Sequence, residues 1–183
     1  MGSEVRVFQG TFKRVENIVD KTYKIIGYGS LVSHKSLKED CKDKKFIPVI
    51  IKGYTRIFDI KDKKGDVLNI KKDKNGHFNG VLFEVDKEEL KKLKKRENGY
   101  KTRKIDFIQF NNRKIKGSAL TFIDLHFLID HKKNLPDKKY LLMCREAAYH
   151  ISKKFGLMWD NTTFTSDGKK VKEYIKNQKV HLN

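Results

Sequence analysis

With 183 residues, a mass of 21.5 kDa and an apolar content of 38%, the chain can bury about 70% of its unfolded surface in one compact domain, which excludes a disordered or fibrous protein. Its formal net charge of +19 comes from 35 lysines and 7 arginines set against 23 acidic residues, a balance that admits nucleic acid, membrane surfaces or acidic ligands as partners. Cys41 and Cys144 lie far apart with neither metal-ligand nor disulfide-framework spacing, and no apolar run approaches the ~20 residues of a membrane span, so reduced thiols in a cytoplasmic protein are expected.

Residues 1–20 carry Val5, Val7, Phe8 and Phe12 in no clean period and read as an extended lead-in. Thr22 to Tyr28 is predicted to be a strand that opens into a loop, Gly27-Tyr28-Gly29-Ser30-Leu31. Glycine tolerates positive φ and presents no Cβ, so a tight turn and a backbone cradle for a small anionic head group both fit this loop. A short helix is expected within Leu31 to Cys41, then a long strand over Phe46 to Asp59 that bends at Gly53. Asp62 to Gly65 reads as a turn, Val67 to Ile70 as a strand, Asp73-Lys74-Asn75-Gly76 as a second hairpin turn and Phe78 to Val85 as an alternating strand.

Asp86 with Glu89 three residues later forms a capping box and starts a helix that Asn98-Gly99 ends. Leu90 and Leu93 are its apolar stripe. At 100° per residue Glu97 falls about 20° from Leu90 around the axis and looks inward, while Lys94, Lys95 and Arg96 look outward. Two strands follow, Tyr100 to Phe110 and Ile115 to Asp124, then a connection over residues 125–135 and a long helix from Lys138 to Phe155 with Gly156 as its stop. A last helix is expected from Lys169 to Ile175.

A carboxylate on the apolar side of a helix is the most informative single feature. Desolvation raises a carboxyl pKa towards neutrality and makes the group an effective general base near pH 7, whereas a Glu97 just past the helix end would be an ordinary solvated residue. Other motifs carry less. Ser30 lacks a Gly-x-Ser-x-Gly setting, Val32 stands where a dinucleotide fingerprint needs its third glycine, and Asp124, His126 and His131 have no metal-ligand spacing.

Gly27-Tyr28-Gly29-Ser30-Leu31 after a strand, Gly53-Tyr54-Thr55-Arg56-Ile57-Phe58, Gly80-Val81-Leu82-Phe83-Glu84-Val85 and Leu93-Lys94-Lys95-Arg96-Glu97-Asn98-Gly99-Tyr100 resemble, in this order, the gamma-glutamylcyclotransferase-like family (ChaC-like superfamily). The match covers residues 22–124, with an echo in Pro136, Tyr140, Leu141, Ala147-Ala148, Thr163 and Asp167-Gly168. The resemblance implies an α+β fold, a small mixed β-barrel flanked by helices. It also implies release of 5-oxoproline from a γ-glutamyl amine, dipeptide or glutathione, without metal or cofactor. Carried over by position, Ile26, Gly27, Tyr28, Gly29, Ser30 and Leu31 form the substrate cradle and Glu97 is the acid/base, with Phe122 as a further pocket aromatic. A non-catalytic binding protein of the same fold remains an alternative, and so does a nucleic-acid binder, although scattered lysine fits a solvated surface better than a phosphate-reading one.

Overall fold

The computed structural model describes residues 21–125 and 135–177. The lead-in and both histidines of the connection, His126 and His131, lie outside the described residues. Six strands and five helices follow the order β1 (Tyr23–Gly27), α1 (His34–Leu37), β2 (Ile47–Asp62), β3 (Gly65–Val85), α2 (Lys87–Arg96), β4 (Lys101–Gln109), β5 (Lys116–Ile123), α3 (Lys138–Ile151), α4 (Lys153–Thr162), β6 (Thr163–Thr165) and α5 (Val171–Asn177).

Five of the strands close a ring. β1 pairs antiparallel with β3 and parallel with β5, β5 with β4, β4 with β2, and β2 returns to β3. β6 adds to β2 in parallel outside the ring, Arg56 opposite Thr163. This is the α+β, helix-flanked mixed barrel that the sequence resemblance implies. Closure removes the sheet edges, and the core on the two faces of its wall includes Ile25, Ile51, Ile70, Phe78, Val81 and Phe83. Phe78 to Phe83 is buried without a break, the mark of a strand covered on both faces. Its outer cover is α4, whose Phe155 and Trp159 are fully buried.

Two local expectations need correction. Asp73-Lys74-Asn75-Gly76 does not reverse the chain. β2 and β3 form one long ribbon with its tip at Asp62 and Gly65, and the ladder steps from Lys52 opposite His77 to Tyr54 opposite Lys72. Residues 73–76 therefore bulge out opposite Gly53, whose φ is 81°. The bulge is held by Thr55 Oγ1 donating to Asp73 Oδ2 at 2.6 Å and Asn75 N–H to Asp73 Oδ1 at 3.0 Å. Turn chemistry is local, and it cannot tell a reversal from a bulge when the partner strand bends at the same point.

The predicted helix over Lys138 to Phe155 is two helices. Ser152 is extended (φ −173°, ψ 157°) and its Oγ accepts from Phe155 N at 3.1 Å, which caps α4. Gly156 is not a stop but sits inside α4, where an added Cβ would lie 2.4 Å from the Tyr149 ring of α3. The glycine lets the two helices close on each other.

Candidate active site

β1 runs through the barrel wall and ends at Gly27, and the chain then makes a single 3-10 turn, Ser30–Val32, with Val32 N bonded to Gly29 O at 3.0 Å. The barrel fixes the loop from both sides: Thr121 Oγ1 donates to Ile26 O at 2.9 Å, and the Tyr28 hydroxyl donates to Phe122 O at 2.7 Å. Neither Gly27 nor Gly29 has positive φ, so the expected conformational reason for these glycines is replaced by a steric one. A Cβ on Gly27 would lie 2.7 Å from Leu31 Cβ, and one on Gly29 would lie 2.6 Å from the Tyr140 hydroxyl. Among the described residues no loop or turn hydrogen bond takes up the Ser30 and Leu31 N–H groups that lead the turn.

The loop forms one wall of a narrow cleft lined by Ile26, Tyr28, Gly29, Ser30, Leu31, Leu68, Glu97, Tyr100, Phe122 and Tyr140. Of the residues expected from sequence, Ile26, Tyr28, Gly29, Ser30, Leu31, Glu97 and Phe122 are thus brought together. Gly27 stands just behind the lining and packs against Leu31. The cleft's free volume is about 20 Å³, room for one water. Tyr100 is half-buried and held by one long bond, its hydroxyl donating to Leu68 O at 3.2 Å.

Glu97 is the C-cap of α2. Its N–H completes the last helical bond, to Leu93 O at 2.8 Å, and its own carbonyl accepts from Tyr100 N at 3.0 Å while Gly99 turns the chain at φ 97°. The side chain is 16% exposed. Burial pushes its carboxyl above the usual range; Arg96 pulls it down and Asp40 adds to the rise. The phenols of Tyr28, Tyr100 and Tyr140 are all pushed up, mainly by burial, and stay neutral.

Arg96 does not look outward as its helical position suggests. Its fork curls back under the loop to Ser30, Ser36 and Asp40, while Lys94 and Lys95 are exposed. Sequence reasoning also missed Leu68, Tyr100 and Tyr140 as lining residues. Tyr100 was within reach, since it follows Gly99 directly; Tyr140 is indistinguishable in sequence from the apolar stripe of its helix. Behind the loop lies Arg56, fully buried. All five of its donors are used, to Thr163 Oγ1, Tyr28 O, Asn79 O, Asn79 Oδ1 and Trp159 O. Burial lowers its pKa to about 9, and the guanidinium stays charged at neutral pH.

A much larger groove of about 1000 Å³ runs between α3 and the segment from Val32 to Pro48. Its lining holds no glycine loop, so size does not decide the site here. Among the described residues no cluster of His, Cys, Asp or Glu could hold a metal ion, and no helix is long and apolar enough to cross a membrane.

A family model described as ChaC-like protein matches residues 23–179. The chain belongs to the ChaC-like family. Solved structures similar to this ChaC-like chain include one titled gamma-glutamyl cyclotransferase, at 12% identity and TM-score 0.65, covering 86% of this chain and 99% of that one. An uncharacterized protein from Homo sapiens reaches TM-score 0.65 at 13% identity, over 86% and 97% of the two chains. A cyclotransferase from yeast, titled as specific to glutathione, reaches 0.52 at 15% identity, over 69% and 86%. At these identities the likeness is one of fold. No curated protein matches the sequence.

Proposed function

We propose that the protein is a γ-glutamyl cyclotransferase that releases 5-oxoproline from a γ-glutamyl amine, dipeptide or glutathione in the cytoplasm, with Glu97 as its acid/base. The observation that carries this reading is the half-buried Glu97 carboxyl, lifted by burial, facing a glycine loop across a cleft whose other polar side chains are the neutral phenols of Tyr28, Tyr100 and Tyr140 and the Ser30 hydroxyl. Membership of the ChaC-like family and a fold shared with a structure titled gamma-glutamyl cyclotransferase support it.

The chemistry follows from these groups. The cradle from Ile26 to Leu31 holds the γ-glutamyl group, with Phe122 at its back. The substrate's α-amine attacks its own γ-carbonyl carbon. As the new C–N bond forms, Glu97 takes the proton the amine nitrogen sheds. As the old C–N bond breaks, the same carboxyl gives that proton to the departing nitrogen. Leading N–H groups of the loop stabilise charge on the carbonyl oxygen in the interval. Products are the lactam and a free amine, and no protein nucleophile is used.

A panel of γ-glutamyl dipeptides, γ-glutamyl amines and glutathione, assayed for 5-oxoproline with wild type and Glu97→Gln, tests the proposal. Wild type should turn over at least one class, and loss of the proton carrier should slow it by about 10²-fold or more. Silence of the wild type across the panel, or a Gln variant as fast as wild type, overturns the reading.

A further inference from the structure

Arg96 lies beside Glu97, and the role argued for it rests on the cyclotransferase function proposed above. A guanidinium has five N–H donors and no acceptor. Here the four on the two Nη atoms are hydrogen-bonded, and Nε is ion-paired. The two on Nη1 go to Ser36 O at 2.6 Å and Asp40 Oδ2 at 2.8 Å, the two on Nη2 to Ser36 Oγ at 2.6 Å and Ser30 Oγ at 3.0 Å, and Nε lies 3.4 Å from Glu97 Oε1. Its four Nη donors are used within the protein and its Nε faces Glu97, so Arg96 acts through its neighbours.

The bond to Ser30 has a directional consequence. Since Arg96 can only give hydrogens, Ser30 Oγ must accept there, and its own hydrogen is left to be given elsewhere. Among the described residues that hydroxyl has no acceptor, and Ser30 lines the cleft. A serine rotor that could otherwise accept or donate on either side thereby keeps its hydrogen free for another acceptor. We propose that Arg96 is a positioning residue that fixes the Ser30 hydroxyl as a hydrogen-bond donor to an oxygen of the bound γ-glutamyl group and holds Glu97 at the opposite end of the same guanidinium.

Spacing explains why arginine stands here. The contacts lie in three directions, on the loop, on α1 with its exit, and on the C-cap of α2. A lysine has one nitrogen and cannot span them. The same guanidinium is the positive charge that faces Glu97. The other groups that face the carboxyl are Asp40, which opposes it, and the neutral phenols of Tyr28, Tyr100 and Tyr140. Removing Arg96 therefore leaves only influences that raise the Glu97 carboxyl.

The test compares Arg96→Gln, Arg96→Lys, Ser30→Ala and the Arg96→Gln/Ser30→Ala double variant in steady-state 5-oxoproline release and in a ¹³C NMR titration of the Glu97 carboxyl. If Arg96 aims Ser30, Arg96→Gln and Ser30→Ala should each raise KM by about tenfold, and the double variant should be little worse than either single one. Arg96→Gln should also shift the acid limb of kcat/KM, and the Glu97 titration, to higher pH, and Arg96→Lys should restore the titration better than the KM. Multiplying KM effects overturn the aiming role, and a Glu97 titration unmoved by Arg96→Gln overturns the charge role. A merely structural arginine would lower the melting temperature while moving neither readout. If the wild type releases no 5-oxoproline from any substrate, the proposed function has failed, and the Glu97 titration still decides the link to Arg96.

Discussion

Glu97 carries its charge where water is scarce, and that has a stability consequence separate from activity. Burial raises its carboxyl in the folded chain relative to the unfolded one. Between the two pKa values the folded state binds more protons, so stability falls as pH rises through that window, and above it the penalty is fully present. Glu97→Gln removes the penalty. The Gln variant should show a higher urea midpoint than wild type at pH 7, with the gap closing below about pH 4, where the carboxyl is protonated in both states. A variant equally destabilised at both pH values would show that Glu97 is held by favourable contacts instead. That Glu97 faces inward was legible, because helical periodicity fixes the direction of a Cβ. The path of Arg96 was not: a long side chain at a helix end can turn back, and its partners Ser30, Ser36 and Asp40 lie some sixty residues away in sequence.

Single elements were readable where the signal sits within one turn. The Asp86 and Glu89 capping box is present in both directions, Glu89 N to Asp86 Oδ1 at 2.8 Å and Asp86 N to Glu89 Oε2 at 3.0 Å. The bend at Gly53 is likewise where expected. What failed was whatever depends on the partner: the ribbon that turns a hairpin signal at residues 73–76 into a bulge, and the approach of α3 and α4 that puts Gly156 inside a helix. The glycine loop meets α3 in the same way, and the contact is testable. Gly29→Ala would drive a Cβ against the Tyr140 hydroxyl, so it should lower activity and stability. Tyr140→Phe removes the atom that is struck. In the double variant the added methyl should cost less than in wild type, with a coupling of about 0.5–3 kcal/mol in a double-mutant cycle on urea midpoints. Independent costs would mean that Gly29 serves the loop by some route other than making space for Tyr140.

Over the whole molecule, the charge of +19 acts in two opposite ways. Like charges repel within the compact state, which salt relieves; a positive field would also draw the proposed γ-glutamyl substrate where that is anionic, an attraction salt weakens. The Debye length falls from about 30 Å at 0.01 M to about 10 Å at 0.1 M, from roughly the span of the molecule to a fraction of it, so both effects should change over that range. Urea midpoints should rise with NaCl. KM for a substrate of net negative charge should rise too, with kcat unchanged, because Glu97, the proposed proton carrier, is sheltered from solvent ions. The two slopes separate the readings that composition alone leaves open. A steep loss of RNA or DNA affinity with salt, of the size expected from many phosphate contacts, would assign the lysines to a nucleic-acid partner. A salt-sensitive KM with weak, shallow nucleic-acid binding would assign them to attraction of small acids, and a KM unmoved by salt would leave the lysines as solubilising surface alone.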